Sequence, residues 1–156
     1  LMRTTFFRSS VWCEVTTMSK QTLKFSAVNV GDKLPGMDID INVSFVVAGA
    51  VASRDFTPVH HNKGAANASG LGNVFPNILT DNGLVGRFVT DWAGPESTLK
   101  RVNIKLGAPV QPGEVLKFTG EVAAKDDATG IVDVKVTAKG NWGMHLDGIA
   151  RVQLPK

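Results

Sequence analysis

A carboxylate and an imidazole lie five residues apart in residues 54–62, the stretch Arg-Asp-Phe-Thr-Pro-Val-His-His-Asn. Asp55 and His60 are these two groups, and Pro58 lies between them. Pro58 disfavours helical backbone at Thr57 and fixes its own φ, so the chain is expected to turn here. A turn brings Asp55 and His60 toward one another, and two converging titratable groups can serve as general acid and base. The simpler alternative is an exposed loop with solvated side chains.

A long helix is predicted after this stretch. Asn77 is expected to cap its start, and residues 93–95, Ala-Gly-Pro, are expected to end it after Trp92. Gly83 and Gly86 each cost about 1 kcal/mol relative to alanine inside a helix, so close packing against another backbone is expected at both. One apolar stripe is expected to pack in the core rather than bind a cofactor: Ile78, Val85, Val89 and Trp92, with Leu84 and Phe88 beside them.

The segments before the helix predict one strand, one short helix and one long loop. Residues 37–41 alternate apolar and polar side chains, which is typical of a half-buried strand. Ser44 is expected to cap an apolar helix over residues 45–53, although its β-branched content leaves a strand possible. Residues 63–76 contain three glycines and are predicted to be a loop, and long loops in compact domains are often lids or binding loops.

The second half of the chain predicts antiparallel strands. Apolar residues alternate with polar ones, as expected where one face of a sheet covers a core and the other faces water. One long helix against such a sheet gives the fold class α+β. The strands are predicted at residues 101–106, 116–122, 132–137 and about 144–154, with turns at 109–113, 126–130 and 140–143.

The composition excludes several functional classes. With 156 residues, 43% of them hydrophobic and 20% charged, the chain fits one globular domain with a sizeable core. No apolar run reaches the roughly 20 residues that span a bilayer. The net charge is only +3 and no basic cluster alternates with aromatic residues, so nucleic-acid binding has no support. Three histidines and one cysteine without ligand spacing predict no metal site.

The N-terminal residues differ from the rest of the chain. Residues 1–17 are basic, rich in serine and threonine and nearly free of acidic residues, a composition similar to a transit peptide. Residues 18–20, Met-Ser-Lys, are similar to a natural start, so we prefer to interpret residues 1–24 as an extension before a domain at 25–156. The single Cys13 precludes an internal disulfide and fits a reducing, cytoplasmic compartment.

Several motifs resemble the MaoC-like (R)-specific enoyl-CoA hydratases: residues 55–60, the long helix after them, and Val-Gly-Asp at 30–32. The likeness covers about residues 25–155. Residues 77–81 and 87–95 are similar to the small catalytic subunits of the heteromeric hydratases of bacterial steroid side-chain degradation. The resemblance implies a hot-dog fold, in which a curved antiparallel sheet wraps one long central helix. It also implies a hydro-lyase that acts on a steroid side-chain enoyl-CoA.

The resemblance also implies roles for individual residues. Asp55 and His60 correspond to the acid–base pair that holds a water, removes its proton as it adds to C3, and protonates C2. The oxyanion hole falls at the backbone N–H of Ile78, where the family has glycine. A backbone N–H does not require glycine, and the first turn of a helix favours negative charge. Four residues are expected to line the pocket or support the pair: Thr57, Asn62, Asn77 and Asp81.

Other polar residues have competing interpretations. His61 is expected to be a loop residue that faces solvent or a partner chain, and His145 a structural residue in a strand. Asp81 is either a carboxylate favoured by the helix dipole, the interpretation we prefer, or the reactive carboxylate of a thioesterase. Three basic residues are candidates for contacts with CoA phosphates, although solvated surface charge is the simpler interpretation of each: Arg54, Lys63 and Arg87.

The resemblance implies partners as well as chemistry. A second MaoC-like chain is expected to pair with this one in a heterodimer or heterotetramer, with a homodimer as the alternative. The substrate is an acyl-CoA thioester, and no further cofactor, nucleic acid or membrane partner is expected. Two rival functions stay open: a hot-dog acyl-CoA thioesterase, and a non-catalytic structural subunit of a hydratase. The presence of both Asp55 and His60 argues against the structural role.

Overall fold

The computed structural model describes residues 21–156, in which a five-stranded antiparallel sheet curls around one long helix. The strands follow the order β1-β3-β4-β5-β2 across the sheet. This arrangement confirms the predicted α+β class. The elements are β1 (Met37–Asp40), α1 (Val43–Ala52), α2 (Lys63–Ala68), α3 (Ile78–Ala93), β2 (Thr98–Leu106), β3 (Val115–Asp126), β4 (Ile131–Gly140) and β5 (Gly143–Gln153).

The predictions for residues 1–17, including the cysteine, lie outside the described residues. Residues 21–24, which the sequence analysis assigned to the extension, lie against the end of α3. There the N–H of Leu23 donates to the carbonyl of Ala93 at 2.9 Å. Within residues 21–156, no helix combines the length and the apolar content needed to cross a membrane.

The core lies between α3 and the concave face of the sheet. The rings of Phe88 on α3 and Phe118 on β3 pack with their centroids 5.7 Å apart. At Gly120 the helix approaches the sheet so closely that a Cβ would lie 2.8 Å from a ring carbon of Phe88. The alternation predicted for β3 and β4 is confirmed, since every second side chain is buried: Leu116, Phe118, Val122, Val132, Val134, Val136 and Ala138.

Helix α3 begins and ends close to the predicted positions. The side chain of Asn77 accepts a hydrogen bond from the N–H of Thr80 at 2.9 Å, which confirms the predicted cap. Gly94 follows the last helical residue with φ 95°, a backbone conformation that favours glycine. The chain therefore turns away from the helix axis at this glycine, as the Ala-Gly-Pro segment predicts.

Two predictions about the faces of α3 are wrong. Ile78 is 47% exposed and does not belong to the buried stripe, whereas Asp81 in the same first turn is fully buried. Gly83 also faces away from the core, and an added Cβ there would meet nothing within 4 Å among the described residues apart from its own helix. Gly86 has tight surroundings, but the neighbour is a side chain and not the expected backbone: that of Leu99 lies 3.3 Å from a built Cβ.

The short helices differ from the prediction. Asn42, not Ser44, caps α1: its side chain accepts from the N–H of Phe45 at 2.9 Å, and its backbone is extended. Residues 63–68, predicted to be loop, form α2, with Asn62 as the cap that accepts from the N–H of Ala65 at 3.2 Å. The mostly small residues of α2 offer no apolar stripe, so its main sequence signal was the capping residue.

Strand β2 lies at one edge of the sheet and pairs only with β5 among the described strands. Val102 and Ile104 are half-buried, as predicted from their alternation. Leu106, which was expected to face the core, is 45% exposed although it still pairs with Leu146 of β5, since it lies at the end of the edge strand. The edge strand therefore presents backbone and apolar side chains at the margin of the described fold.

Replacing Phe118 by alanine is expected to lower the free energy of unfolding by about 3–5 kcal/mol, because the cavity left beneath Phe88 cannot close completely. Urea denaturation followed by circular dichroism measures this change. Lys117→Ala, in the exposed position next to it, serves as the control and is expected to change stability by no more than about 0.5 kcal/mol. Similar small losses in both variants would contradict the burial of Phe118.

Candidate active site

The position of Asp55 is set by the turn that ends α1. The N–H of Arg54 donates to the carbonyl of Val51 at 3.1 Å, and the N–H of Asp55 donates to the carbonyl of Ala50 at 2.9 Å. These two bonds form a Schellman motif. Arg54 occupies its left-handed position with φ 56°, where glycine is usual. The turn ties the backbone of Asp55 directly to the end of a helix.

Three hydrogen bonds hold the carboxylate of Asp55. Its Oδ1 accepts from the hydroxyl of Thr57 at 2.7 Å and from the N–H of Thr57 at 3.2 Å. Its Oδ2 accepts from the side-chain amide of Asn77 at 2.9 Å. The Thr57 hydroxyl first, and then the Asn77 amide, lower the pKa of Asp55 below its ordinary value. Asp55 is therefore ionised at neutral pH.

His60 is held in one orientation by a backbone carbonyl. It ends the short 3-10 turn Pro58–His60 and is buried. Its Nδ1 lies 2.8 Å from the carbonyl oxygen of Phe75, which can only accept, so Nδ1 carries the hydrogen. The ring of Phe75 also packs edge-on against the imidazole, at 4.9 Å between centroids. The lone pair of a neutral imidazole is therefore on Nε2, the atom that faces Asp55.

The two facing atoms are close without being bonded to each other. Nε2 of His60 lies 3.5 Å from Oδ2 of Asp55, beyond an ordinary hydrogen-bond length. Both atoms are acceptors when Asp55 is ionised and His60 is neutral. A molecule that donates two hydrogens, such as water, can bridge them. The prediction that the Pro58 turn brings Asp55 and His60 together is confirmed.

Asn77 connects this pair to α3. Its side-chain Nδ2 donates to the hydroxyl of Ser53 at 2.7 Å and to Oδ2 of Asp55 at 2.9 Å. Its Oδ1 accepts from the N–H of Thr80 at 2.9 Å and from the Thr80 hydroxyl at 2.6 Å. Sequence reasoning identified the cap but missed Ser53, for which no signal existed beyond its place at the end of α1.

The first turn of α3 leaves two N–H groups available. The N–H of Thr80 is used by the Asn77 side chain, and the N–H of Asp81 donates to the Asn77 carbonyl at 3.2 Å. The N–H groups of Ile78 and Leu79 occupy the first two helical positions and have no intrahelical acceptor. Together with the helix dipole, they favour a negative charge beside the pair.

A second carboxylate–imidazole pair lies behind the first turn of α3. Asp81 is 0% exposed and His145 4% exposed. Nε2 of His145 lies 3.1 Å from Oδ1 of Asp81, and Nδ1 lies 2.8 Å from the carbonyl oxygen of Ala108. The structural role predicted for His145 agrees with this burial. The preferred interpretation of Asp81 was a carboxylate favoured only by the helix dipole, and it did not include the hydrogen bond to His145.

His145 points inward because β5 bulges at this residue. Ala138 pairs with Leu146 and Lys139 pairs with Met144, so His145 has no residue opposite it on β4. The extra residue turns two consecutive side chains, those of His145 and Leu146, toward the core. The alternation of the sequence carries no sign of this bulge, so the Asp81–His145 contact was not predictable.

Two opposing effects act on the pKa of His145. Burial alone would lower it, but the hydrogen bond to Asp81 and the charge of Asp81 outweigh burial and raise the pKa. The Ala108 carbonyl and the charge of the buried Glu114 act in the same direction. The pair therefore retains a proton that an exposed histidine would release.

The remaining predicted residues lie apart from the pair or at its margin. Asn62 caps α2, and His61 is exposed. Lys63 is exposed at the first position of α2. Arg87 is exposed and pairs with Asp91 at 3.4 Å. It follows the start of α3 by nine residues, which places it roughly 13 Å along the helix.

A cavity of about 430 Å³ lies at the other end of α3 and does not include the pair. It has an apolar floor with Arg87 and Asp91 at its rim, and its lining is Leu23, Pro35, Gly36, Met37, Arg87, Phe88, Asp91 and Trp92. The position of Arg87 in this lining separates it further from Asp55 and His60. The structure thus brings together Thr57, Asn77 and the pair, and leaves Arg87 elsewhere.

The family described as MaoC like domain matches residues 20–141 of the chain. The chain is also 40% identical over 125 residues to the 3-oxo-4,17-pregnadiene-20-carboxyl-CoA hydratase beta subunit of Mycobacterium tuberculosis. That alignment covers 80% of this chain and 95% of the relative.

Solved structures share the fold. The ChsH1-ChsH2 complex from Mycobacterium tuberculosis contains a chain that matches with a TM-score of 0.78 and 40% identity, covering 81% of this chain and 98% of that one. The unliganded R-hydratase PhaJ1 from Pseudomonas aeruginosa matches with a TM-score of 0.78 and 20% identity, covering 86% of this chain and 87% of that one. These neighbours confirm the predicted hot-dog fold.

The free energy of unfolding is expected to fall as the pH rises from about 6.5, the ordinary histidine value, through the raised pKa of His145. The folded state binds this proton more tightly than the unfolded state, so its contribution is complete below pH 6.5 and is lost above the folded pKa. Urea denaturation between about pH 6 and pH 9 measures the slope.

Asp81→Asn is expected to flatten this decline, because an amide can donate to a neutral imidazole. Asp133→Asn, which removes the exposed partner of Arg151, serves as the matched control and should retain the decline. A slope that is identical in the wild type and in Asp81→Asn would show that His145 does not carry it.

Proposed function

The chain belongs to the MaoC-like domain family, and we propose that it is an enoyl-CoA hydratase, a hydro-lyase that adds water across the C2=C3 bond of an acyl-CoA thioester. One observation carries the proposal: Oδ2 of Asp55 and Nε2 of His60 face each other across 3.5 Å as two acceptors. The N–H groups of Ile78 and Leu79, which have no intrahelical acceptor, directly follow Asn77, the residue that donates to Asp55. Membership of the family supports the reaction class.

In the proposed mechanism, a water donates its two hydrogens to Asp55 and His60, which directs its oxygen lone pair at C3. As the C3–O bond forms, one O–H bond of the water breaks and its proton passes to the pair. The C2=C3 electrons move toward the thioester carbonyl, and the resulting enolate takes a proton at C2 from the pair. Water and protons are the only species transferred, so the proposal includes no cofactor beyond the CoA thioester.

The negative charge that develops on the thioester oxygen needs fixed donors. The N–H of Ile78, with that of Leu79 beside it, is the proposed oxyanion hole. Both groups are free of intrahelical acceptors and lie at the positive end of the α3 dipole. Asn77 precedes them directly and donates to Asp55 at 2.9 Å, which links the position of the donors to that of the carboxylate.

We propose that the acyl group of the CoA thioester substrate is large and apolar, and that it is of the steroid side-chain type. The name of the 40% identical relative supports this class, because that protein is a 3-oxo-4,17-pregnadiene-20-carboxyl-CoA hydratase subunit. Three apolar side chains that directly follow Asp55 or Asn77 in the chain are exposed rather than buried, and an apolar ligand would cover them: Phe56 at 67%, Ile78 at 47% and Leu79 at 52%.

We propose a second MaoC-like chain as the partner. The matched chain at 40% identity belongs to the ChsH1-ChsH2 complex, and this supports a heteromeric assembly. The edge strand β2 leaves Leu99 and Leu106 at least one-third exposed, so it offers a surface for another chain. A homodimer is the alternative that purification of the chain alone would reveal.

A thioesterase with Asp81 as its reactive carboxylate has less support. The carboxylate of Asp81 is fully buried and bonded to His145, so it does not face the site of Asp55. A reactive carboxylate must lie within hydrogen-bond reach of its substrate. The hydratase proposal therefore uses the pair Asp55 and His60 alone.

Asp55→Asn and His60→Ala are each expected to lower kcat for hydration by about 10²–10⁴-fold, because each removes one of the two groups that move the proton. Loss of absorbance of the enoyl thioester, measured for the chain with its candidate partner, reports the reaction. The substrate is a steroid side-chain enoyl-CoA, and free thiol is measured in parallel.

Two matched variants serve as controls. Asp126 is a surface carboxylate that also accepts from a threonine hydroxyl, that of Thr129 at 2.6 Å, and Asp126→Asn should leave kcat unchanged. His61→Ala should do the same beside His60. Release of free CoA that persists in the Asp55 variant would instead support a thioesterase, and hydration that survives in both site variants would overturn the proposal.

Arg54 is the basic residue nearest to the pair in the chain, and we propose that it contacts the CoA phosphates. Arg54→Gly removes the guanidinium while keeping the turn, because glycine adopts the same positive φ without strain. The KM for the CoA thioester is expected to rise by about tenfold with kcat little changed, as for a lost binding contact. Lys63→Ala tests the second candidate. An unchanged KM in either variant would show that the substituted residue does not contact the CoA phosphates.

A further inference from the structure

The buried pair Asp81–His145 lies one helical turn from the proposed active site. Asp81 follows Asn77 by four residues, and its N–H donates to the Asn77 carbonyl at 3.2 Å. The same Asn77 donates its side-chain amide to Asp55 at 2.9 Å. These two bonds connect the backbone of Asp81, through Asn77, to the carboxylate of Asp55.

At its other end the pair is fixed to the sheet. His145 is the extra residue of the β5 bulge, and its Nδ1 donates to the carbonyl of Ala108 at 2.8 Å. The loop that contains Ala108 is held against the bulge by two backbone bonds: the N–H of Gly107 donates to the His145 carbonyl at 2.7 Å, and the N–H of Ala108 to the Met144 carbonyl at 2.8 Å. His145 thus joins the first turn of α3 to β2 and β5.

Stability alone does not account for a polar pair at this depth. A buried pair of titratable groups gains little over well-packed apolar side chains of similar volume, because desolvation offsets the attraction. Its distinguishing property is direction: a hydrogen bond fixes distance and angle, whereas apolar contacts permit small rotations and shifts. The pair therefore fixes the position of the first turn of α3 more closely than packing does.

We infer that Asp81 and His145 are positioning residues for the hydration reaction, which hold Asn77 and the N–H of Ile78 in register with Asp55 and His60. This inference rests on the proposed function. Neither residue is expected to contact the substrate, since Asp81 on α3 and His145 on β5 are both buried. A displacement of about 1 Å in such donors costs roughly 10²-fold in rate, so the effect of losing the pair falls on kcat.

The first test compares three changes at the pair in the assembled enzyme. Asp81→Ala is expected to lower kcat about 30–100-fold with KM changed less than about threefold, because the turn loses its tether. Asp81→Asn is the conservative variant. Its side-chain amide can donate to Nε2 of a neutral His145, while Nδ1 of His145 still donates to the carbonyl of Ala108. It is expected to restore kcat to within about threefold of the wild type.

The third change keeps the core filled. Asp81→Leu combined with His145→Leu replaces the polar pair by apolar side chains, so the protein is expected to fold with an undiminished Tm. Its kcat per folded molecule should nevertheless be as low as that of Asp81→Ala. Full activity in this double variant, or equal activity in Asp81→Ala and Asp81→Asn, would show that the pair only fills the core. Asp133→Asn controls for the loss of a carboxylate.

A second test needs no substrate. Amide hydrogen exchange at Thr80 and at residue 81, whose N–H groups are hydrogen-bonded to Asn77, is expected to quicken at least tenfold in Asp81→Ala and in the double variant, and to stay near the wild-type rate in Asp81→Asn. The signals of the Asn77 side-chain amide should shift in the same two variants. Exchange and shifts that do not change would overturn the inference.

The outcomes separate the two proposals. Hydration that needs Asp55 but ignores every change at Asp81 would refute the positioning role and leave the proposed function standing. If the wild type shows no hydration, the exchange measurement still decides whether the pair fixes the first turn of α3. In that case the proposed hydratase function is refuted, and the exchange result is judged separately.

Discussion

One side-chain amide connects the parts of this site. Asn77 donates to Ser53 at the end of α1 and to Asp55 beyond it, while its own oxygen caps α3 through Thr80. The amide is buried, so each of these bonds forms away from competing water. A carboxylate in a turn and the N-terminus of a helix thereby keep a fixed relation, although they lie on separate segments of the chain. Any mechanism that uses both requires this relation.

The structure contains two Asp–His pairs whose surroundings differ. At the surface, Asp55 accepts three hydrogen bonds that lower its pKa, and the Phe75 carbonyl orients His60 so that Nε2 is free to accept. In the interior, Asp81 faces His145 and raises its pKa against the effect of burial. The Asp55 carboxylate of the first pair is partly exposed, whereas both residues of the second pair are buried. The same residue types thus have different surroundings according to their partners.

Much of this arrangement follows from the sequence. The alternation of β3 and β4, the cap at Asn77 and the convergence of Asp55 and His60 around Pro58 all rest on local rules of periodicity and turn chemistry. What the sequence did not reveal depends on departures from those rules. The Schellman turn that positions Asp55 has arginine where glycine is usual, and the bulge at His145 breaks the alternation of β5 without a glycine or proline to signal it.

The middle of α3 and its first turn are held by different forces. Its middle packs through apolar contacts such as Phe88 against Phe118, which stabilise the fold and tolerate small shifts. Its first turn is held by directional bonds from Asn77 and Asp81 instead. Apolar burial holds the helix against the sheet, but it does not define the position of an N–H group to a fraction of an ångström. A site that uses such a group needs polar anchors close to it, and these bonds lie at the end of α3 where the Ile78 N–H is available.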